Sequence, residues 1–138
     1  QPVGLELSPA MHRVTARKLV RRGLHLPCDR GSTAALPFRS GAFDTVVSTF
    51  PAEYILQPAG LAEIARTIRR GGRLVISGLS VEMPPSWRRP LSLLPSSWER
   101  LWAYFADAAA QAGLAPRVIW RADFPARVPV VVCEKAPA

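Results

Sequence analysis

The sequence has few of the residues that bind metals or form cross-links: two cysteines and two histidines among 138 residues. Cys28 and Cys133 stand far apart, and neither forms with His12 or His25 a spacing that is typical of a metal site. No Ser/His/Asp arrangement for nucleophilic catalysis is recognisable either. We therefore predict unpaired, packed thiols, no metal centre, and a reducing, cytoplasmic location.

Long apolar runs and targeting segments are missing as well. No run approaches the ~20 apolar residues of a membrane-spanning helix. There is no charged-then-apolar signal segment. The sequence also lacks an initiator Met, and its first five residues lead almost directly into a strand. Such a start is more typical of a piece of a longer chain than of a natural N-terminus.

Negative charge is scarce, since 18 Lys and Arg face 10 Asp and Glu and give a formal net charge of +8. This surplus has two interpretations: solvated helix faces, or a surface for nucleic acid or an anionic membrane. The arginines are dispersed, and no aromatic residues interleave with them to stack on bases. We therefore expect no nucleic-acid partner, while a peripheral membrane contact stays open. The sequence does not indicate an oligomeric state.

The hydrophobic content of 49% is enough for one core. Apolar periodicity predicts three helices, over residues 8–22, 58–70 and 96–112. We expect Ser8 to cap the first helix and Gly23 to end it. The second should bury a stripe formed by Leu61, Ile64, Ala65 and Ile68. The same periodicity also predicts six strands, over residues 3–7, 24–32, 43–49, 73–77, 117–121 and 128–134. This order favours an α/β fold: a Rossmann-like, mostly parallel sheet with helices on both faces and a C-terminal antiparallel hairpin. We take residues 1–138 as a single domain.

Ligands of such sheets bind at the carboxyl ends of the strands. Glu6 stands near that end of the first strand, immediately before a helix. A carboxylate there can accept hydrogen bonds from both hydroxyls of a ribose. The alternative is a surface glutamate that stabilises the N-terminus of the helix.

Three segments, in this order and spacing, resemble class I S-adenosylmethionine (SAM)-dependent methyltransferases. They are Val3–Met11 (VGLELSPAM), Ala34–Phe38 (AALPF) with Phe43-Asp44, and Arg66–Leu74 (RTIRRGGRL). Together they cover most of residues 3–78. The nearest subgroup is the methyltransferase type 11 group, which is related to quinone-biosynthesis methyltransferases.

The resemblance implies SAM as the cofactor and a set of binding residues. These are Glu6, Leu7, Met11, Ser32, Thr33, Ala34, Ser48, Thr49 and Phe50. By resemblance Glu6 binds the ribose, residues 32–34 meet the adenine, and residues 48–50 line the methionine end. Met11 is expected near the adenine, with plain core packing as its alternative.

Catalysis requires a general base only when the acceptor arrives protonated. Glu53 and Tyr54, just beyond the strand at 43–49, are the candidate catalytic residues, and ordinary loop residues are the alternative. The resemblance implies that segment 79–95 covers the acceptor, and its apolar residues indicate a hydrophobic acceptor; a hydrophobic loop packed on the core is the alternative. We therefore predict SAM-dependent methyl transfer to a small molecule; the alternative is a non-catalytic remnant or interaction module that keeps the fold.

The sequence departs from the family pattern at three places. Ser32 stands where many members have an acidic residue, and Arg70 stands where a proline is common. The first strand and its Gly-x-Gly-x-Gly loop are absent. That strand is expected between the strands at 3–7 and 43–49, so the sequence predicts an N-terminally truncated sheet with a gap and two unpaired edges.

Overall fold

The computed structural model describes residues 2–49, 56–78, 97–121 and 128–137. Its nine elements have the order and type that the sequence predicts. They are β1 (Gly4–Glu6), α1 (Pro9–Arg21), β2 (Cys28–Arg30), β3 (Phe43–Thr49), α2 (Pro58–Thr67), β4 (Ile68–Ser77), α3 (Ser97–Gln111), β5 (Leu114–Arg121) and β6 (Val128–Lys135). Among the helices of these residues, none combines the length and apolar character that a membrane crossing requires.

The strands form two sheets. β1 and β2 are parallel and make a two-stranded sheet, and the other four strands have the order β3-β4-β6-β5. In the larger sheet β3 and β4 are parallel, whereas β6 runs antiparallel to β4 and to β5. The predicted α/β class and the C-terminal antiparallel hairpin are confirmed. The strands that the sequence places on either side of a gap, β1 and β3, lie in separate sheets.

Helix α1 has the ends that its sequence predicts. The Ser8 hydroxyl accepts a hydrogen bond from the backbone N–H of Met11 at 3.3 Å, as an N-cap does. At the other end, Gly23 has φ +64° and the backbone N–H of Leu24 donates to the Leu19 carbonyl at 3.0 Å. This is a Schellman ending, which requires a left-handed residue that glycine supplies without strain.

The buried core lies between α2, α3 and the larger sheet. The predicted apolar stripe is buried throughout. Leu61, Ile64 and Ala65 lie on α2, and Ile68 is the first residue of β4. α3 contributes Phe105, and the strands contribute a further set: Leu74, Ile76, Leu114, Val131, Val132 and Cys133. In contrast, none of the described residues 2–49 is buried.

The junction of α2 and β4 differs from the prediction. The sequence predicts a helix to residue 70 and a strand from residue 73, but the helix ends at Thr67 and the strand begins at Ile68. Ile68 is extended, with φ −79° and ψ 132°, and pairs with Phe43 of β3. Long-range pairing with β3 therefore ends the helix at Thr67, three residues earlier than predicted.

The glycine pair serves a local irregularity of the sheet. Gly71 has φ +70°, and the β3–β4 register shifts between Phe43 and Thr45. A Cβ on Gly72 would lie 2.7 Å from the Asp44 carbonyl oxygen, so only glycine lets the two strands approach here.

Candidate functional site

The carboxyl ends of β1 and β2 bring together two of the predicted cofactor-binding segments. Glu6 pairs in register with Arg30, and the backbone N–H of Gly31 donates to the Glu6 carbonyl at 3.4 Å. Residues 32–34 follow directly. The parallel pairing therefore places Glu6 and the segment 32–34 at one edge of the small sheet, as expected for a ligand site.

The Glu6 carboxylate is half-buried and already has one donor. Its Oε1 accepts a hydrogen bond from the backbone N–H of Ser8 at 2.8 Å, which stabilises the start of α1. Within the described residues, no other donor lies within hydrogen-bonding distance of this carboxylate. The helix contact that was the alternative interpretation is thus present, and it leaves Oε2 free to accept from a ligand hydroxyl.

Ser32 closes a tight turn. Its Oγ accepts a hydrogen bond from the backbone N–H of Ala34 at 3.2 Å, and its carbonyl accepts from the N–H of Ala35 at 3.1 Å. The hydroxyl keeps its proton for donation and a second lone pair for acceptance. The segment 32–34 is therefore shaped by its own side chain, and Thr33 at its centre is half-buried.

Leu7 and Met11 lie on the surface near Glu6. Each is 51% exposed, although both are large apolar residues. Met11 is therefore not a core residue, which was the alternative interpretation. Exposed apolar side chains of this kind suit contact with an aromatic base better than contact with water.

Ser48 and Thr49 stand at the carboxyl end of β3, where they pair with Ile76 and Ser77 of β4. They thus occupy the equivalent edge of the larger sheet, while Glu6 and Ser32 belong to the smaller one. Phe50, Glu53 and Tyr54 lie outside the described residues, as does the segment 79–95.

His12 attaches α1 to the small sheet. Its Nε2 lies 2.8 Å from the carbonyl oxygen of Cys28. Because a carbonyl only accepts, the imidazole carries its proton on Nε2 and donates it. This histidine is therefore a structural link between α1 and β2.

Sequence reasoning missed a charged network between α2 and the loop after β2. Arg66 donates to both carboxylate oxygens of Glu63, from Nε at 2.7 Å and from Nη2 at 2.9 Å. Glu63 also accepts the backbone N–H of Leu36 at 2.9 Å. Hydrogen bonding to Arg66, and then to Leu36, lowers the pKa of Glu63 from 4.5 to about 2. The i,i+3 spacing on a helix was the one available signal.

Lys135 is a second residue that the sequence does not single out. Its ammonium donates to the carbonyls of Ala65 and Ile68 at 2.7 and 2.8 Å, so it caps the C-terminus of α2 from β6. Close to it in the same strand, Cys133 is fully buried, and burial raises the pKa of its thiol to about 12. Cys133 is therefore a packing residue and not a nucleophile.

A cavity of about 440 Å³ opens at the other end of the larger sheet, where β3 and β4 begin. Its wall holds the ion pair of Arg69 with Asp44, which lowers the pKa of that carboxyl. Lys135 and Glu134 close it from β6. Because ligands of such folds bind at the carboxyl ends of the strands, this cavity is not the candidate cofactor site. In the part of the chain that the structure describes, no three His, Cys, Asp or Glu side chains are placed to hold a metal.

A protein-family model described as a methyltransferase domain matches residues 1–76, more than half of the chain. The chain belongs to the methyltransferase domain family. The resemblance carried by residues 3–11, 34–44 and 66–74 is therefore confirmed. The match includes Glu6, Ser32, Ser48 and both residues of the Glu63–Arg66 pair.

Among curated proteins, this methyltransferase domain is similar to demethylmenaquinone methyltransferase from Thermus thermophilus. The two are 37% identical over 87 residues, which is 60% of this chain and 36% of that protein. The chain thus aligns with about a third of the length of this relative.

Solved structures share the fold at low identity. Geranyl diphosphate methyltransferase in complex with SAM superposes with a TM-score of 0.67 and 16% identity, over 96% of this chain and 68% of that one. The cyclase SpnF superposes with a TM-score of 0.69 and 15% identity, over 100% and 68%. A methyltransferase and a cyclase match equally well, so these likenesses show the fold alone.

Proposed function

We propose that the protein is a SAM-dependent methyltransferase whose acceptor is a small hydrophobic molecule. The observation that carries the proposal is the Glu6 carboxylate, held at the carboxyl end of β1 by Ser8 with one oxygen free, in a chain of the methyltransferase domain family. The name of the curated relative and the SAM complex of the structural neighbour support it.

Residues at the carboxyl ends of β1, β2 and β3 would contact the adenosine part and the methionine end of the cofactor. Glu6 would accept the ribose hydroxyls, and Leu7 and Met11 would cover the adenine with exposed apolar surface. The turn at Ser32 would present backbone and hydroxyl groups to the edge of the adenine. Ser48, Thr49 and Phe50 would line the methionine end. SAM itself supplies an electrophilic methyl group on a sulfonium, so the protein's task is alignment.

The names of similar proteins and the composition of segment 79–95 support a hydrophobic acceptor. The curated relative is named for demethylmenaquinone, and the structural neighbour for geranyl diphosphate. Both names denote molecules that carry an apolar hydrocarbon chain. Segment 79–95 of this chain contains four Leu, one Met and one Trp, which suits such an acceptor. Glu53 or Tyr54 would take the proton of an acceptor that arrives protonated.

A cytoplasmic location belongs to the same proposal. It is supported by Cys28 and Cys133, which are both free thiols. Free thiols persist in reducing compartments.

Calorimetric titration of the intact protein, as its genome encodes it, with SAM tests the proposal. We expect saturable binding, and we expect Glu6→Gln to weaken it about 10- to 100-fold because a charged hydrogen bond to ribose is lost. Glu134→Gln is the matched control, since Glu134 is an exposed carboxylate on β6. A folded protein that does not bind SAM would contradict the proposal and leave a non-catalytic role for this fold.

A further inference from the structure

The side chains of Glu63 and Arg66 join α2 to the loop that follows β2. Arg66 Nη1 donates to the carbonyl of Phe38 at 2.8 Å, and its Nη2 donates to the carbonyl of Leu36 at 3.1 Å. Glu63 accepts the backbone N–H of Leu36 at 2.9 Å. We call these two side chains and the backbone groups that they bind the Glu63–Arg66 clamp.

The clamp has the geometry of an ordered, bidentate ion pair rather than of a solvent-exposed, mobile one. The guanidinium meets the carboxylate with two parallel hydrogen bonds, and this bidentate form fixes both planes. The side chains of Arg66 and Glu63 are only 35% and 25% exposed. Each also binds backbone groups of the loop, so the pair orders more than itself.

The loop that the clamp holds is fixed at further points. Leu36 packs against the buried core. The ring of Phe38 meets that of Phe43 edge-to-face, with centroids 5.0 Å apart. The backbone N–H of Gly41 donates to the Arg66 carbonyl at 2.9 Å. Residues 36–41 are therefore tied to α2 and β3 along their length.

The clamped loop reaches back to the candidate cofactor edge. Ala35, which closes the turn of Ser32, directly precedes Leu36. A Cβ on Gly31 would lie 3.0 Å from Leu5 and 3.5 Å from Pro37, so the loop packs beside β1 where Glu6 stands. Only Ala35 separates the turn at residues 32–34 from the clamped residues 36–38, so we expect a displacement of the loop to shift the turn.

We infer that Glu63 and Arg66 are positioning residues, which hold residues 32–34 in the shape that binds the adenine part of the cofactor. The inference rests on the proposed function. Neither residue touches the candidate site; both act through the backbone of the loop. Without the clamp the loop has more conformations, so its binding-competent shape is less populated and the apparent affinity falls by that fraction.

The clamp can be removed without touching the core. Leu61, Ile64 and Ala65 form the buried face of α2, whereas Glu63 and Arg66 lie on its half-exposed side. Arg66→Ala deletes all hydrogen bonds from the guanidinium. Arg66→Lys keeps the charge and loses the bidentate fork, and Glu63→Gln keeps an acceptor for the loop. The conservative variants keep the test valid if Arg66→Ala fails to fold.

The experiment is a titration of the intact protein with S-adenosyl-L-homocysteine, the form of the cofactor that lacks the methyl group. We expect Arg66→Ala to weaken binding about 2- to 30-fold, with Arg66→Lys and Glu63→Gln in between. Arg117→Ala is the matched control, since Arg117 pairs with Glu134 at 3.4 Å on the β5–β6 hairpin, and it should leave the affinity unchanged.

Two further measurements separate positioning from plain stability. Amide hydrogen exchange of residues 32–38 should accelerate in Arg66→Ala by a larger factor than exchange in the core strands β4 and β6, while the far-UV circular dichroism spectrum of the folded variant matches that of wild type. Wild-type protein that fails to bind the probe overturns the proposed function. Wild-type binding together with unchanged affinity in all three clamp variants overturns the positioning role alone.

Discussion

Two regions of this molecule differ in how much of their apolar surface is buried. The amino-terminal region, residues 2–41, carries Glu6, Met11 and Ser32 of the candidate site, and none of its residues is buried. The core region, residues 56–78, 97–121 and 128–137, holds every buried hydrophobic residue that the structure describes. Most of the residues expected to bind the cofactor therefore lie in the region that has no buried side chains.

Helix α1 shows what this difference means. Its Val20 is 76% exposed, and Met11 and Val14 are exposed as well. The helix is held by its caps and by the hydrogen bond of His12 to β2 rather than by a buried face. Regions with few buried apolar contacts open at low free energy, so ligand binding at this edge is expected to order it.

The largest expected effect comes from truncating one large side chain in each region and comparing the loss of stability. Phe105→Ala empties the centre of the core, where Phe105 is 0% exposed. We expect it to lower the free energy of unfolding by about 3–5 kcal/mol. Val20→Ala on α1 should change it by no more than about 0.5 kcal/mol. Urea denaturation followed by circular dichroism measures both, and equal losses would erase the distinction between the regions.

A smaller contrast uses one glycine from each region. Gly72→Ala places a Cβ 2.7 Å from the Asp44 carbonyl oxygen and from Ile68, and backbone cannot yield easily. We expect a loss of about 1–3 kcal/mol in the free energy of unfolding. Gly4→Ala places its Cβ 3.2 Å from the Cys28 sulfur, a side chain that can rotate away. Thermal unfolding should show a lower midpoint for Gly72→Ala, and a larger drop for Gly4→Ala would contradict the packing argument.

The weakest expected effect concerns pH and the clamp that joins the two regions. The pKa of Glu63 is lowered from 4.5 to about 2 in the folded protein. At a pH between these two pKa values, Glu63 is protonated more often in the unfolded chain than in the folded protein. The free energy of unfolding therefore falls as the pH falls. The contribution of Glu63 is therefore complete above about pH 5 and lost as the pH drops toward 2.

Urea midpoints of wild type and Glu63→Gln between about pH 6 and pH 2.5 measure this contribution. The difference between the two proteins should be constant at the upper end and shrink toward the lower end. The Arg69–Asp44 pair also lowers a carboxyl pKa, but it is present in both proteins and cancels. A difference that does not depend on pH would show that Glu63 is not charged against Arg66 in the fold.

Local features of the fold followed from the sequence. The Ser8 cap, the Gly23 ending and the buried stripe of Leu61, Ile64 and Ala65 were all predicted. Each depends on residues within one or two helical turns, so the spacing in the chain contains the whole signal. For the candidate site, the local pattern correctly placed Glu6 at the end of a strand, but it also placed Ser32 at the end of a strand over 24–32. In the structure β2 ends at Arg30, and Ser32 forms a turn.

Features that depend on distant residues did not follow from it. The early end of α2 at Thr67 results from pairing of Ile68 with Phe43. The ammonium of Lys135 caps α2 from a strand 67 and 70 residues further along the chain. Nothing in the local pattern indicates either contact.

The sequence by itself determined the elements, their order and the family, because periodicity, caps and motif spacing are written into neighbouring residues. Only the tertiary structure decided that α1 has no buried face, that β1 and β3 lie in separate sheets, and that Arg66 holds the loop at Leu36. Those outcomes depend on which distant surfaces meet, and burial and hydrogen-bond geometry exist only after the chain has folded.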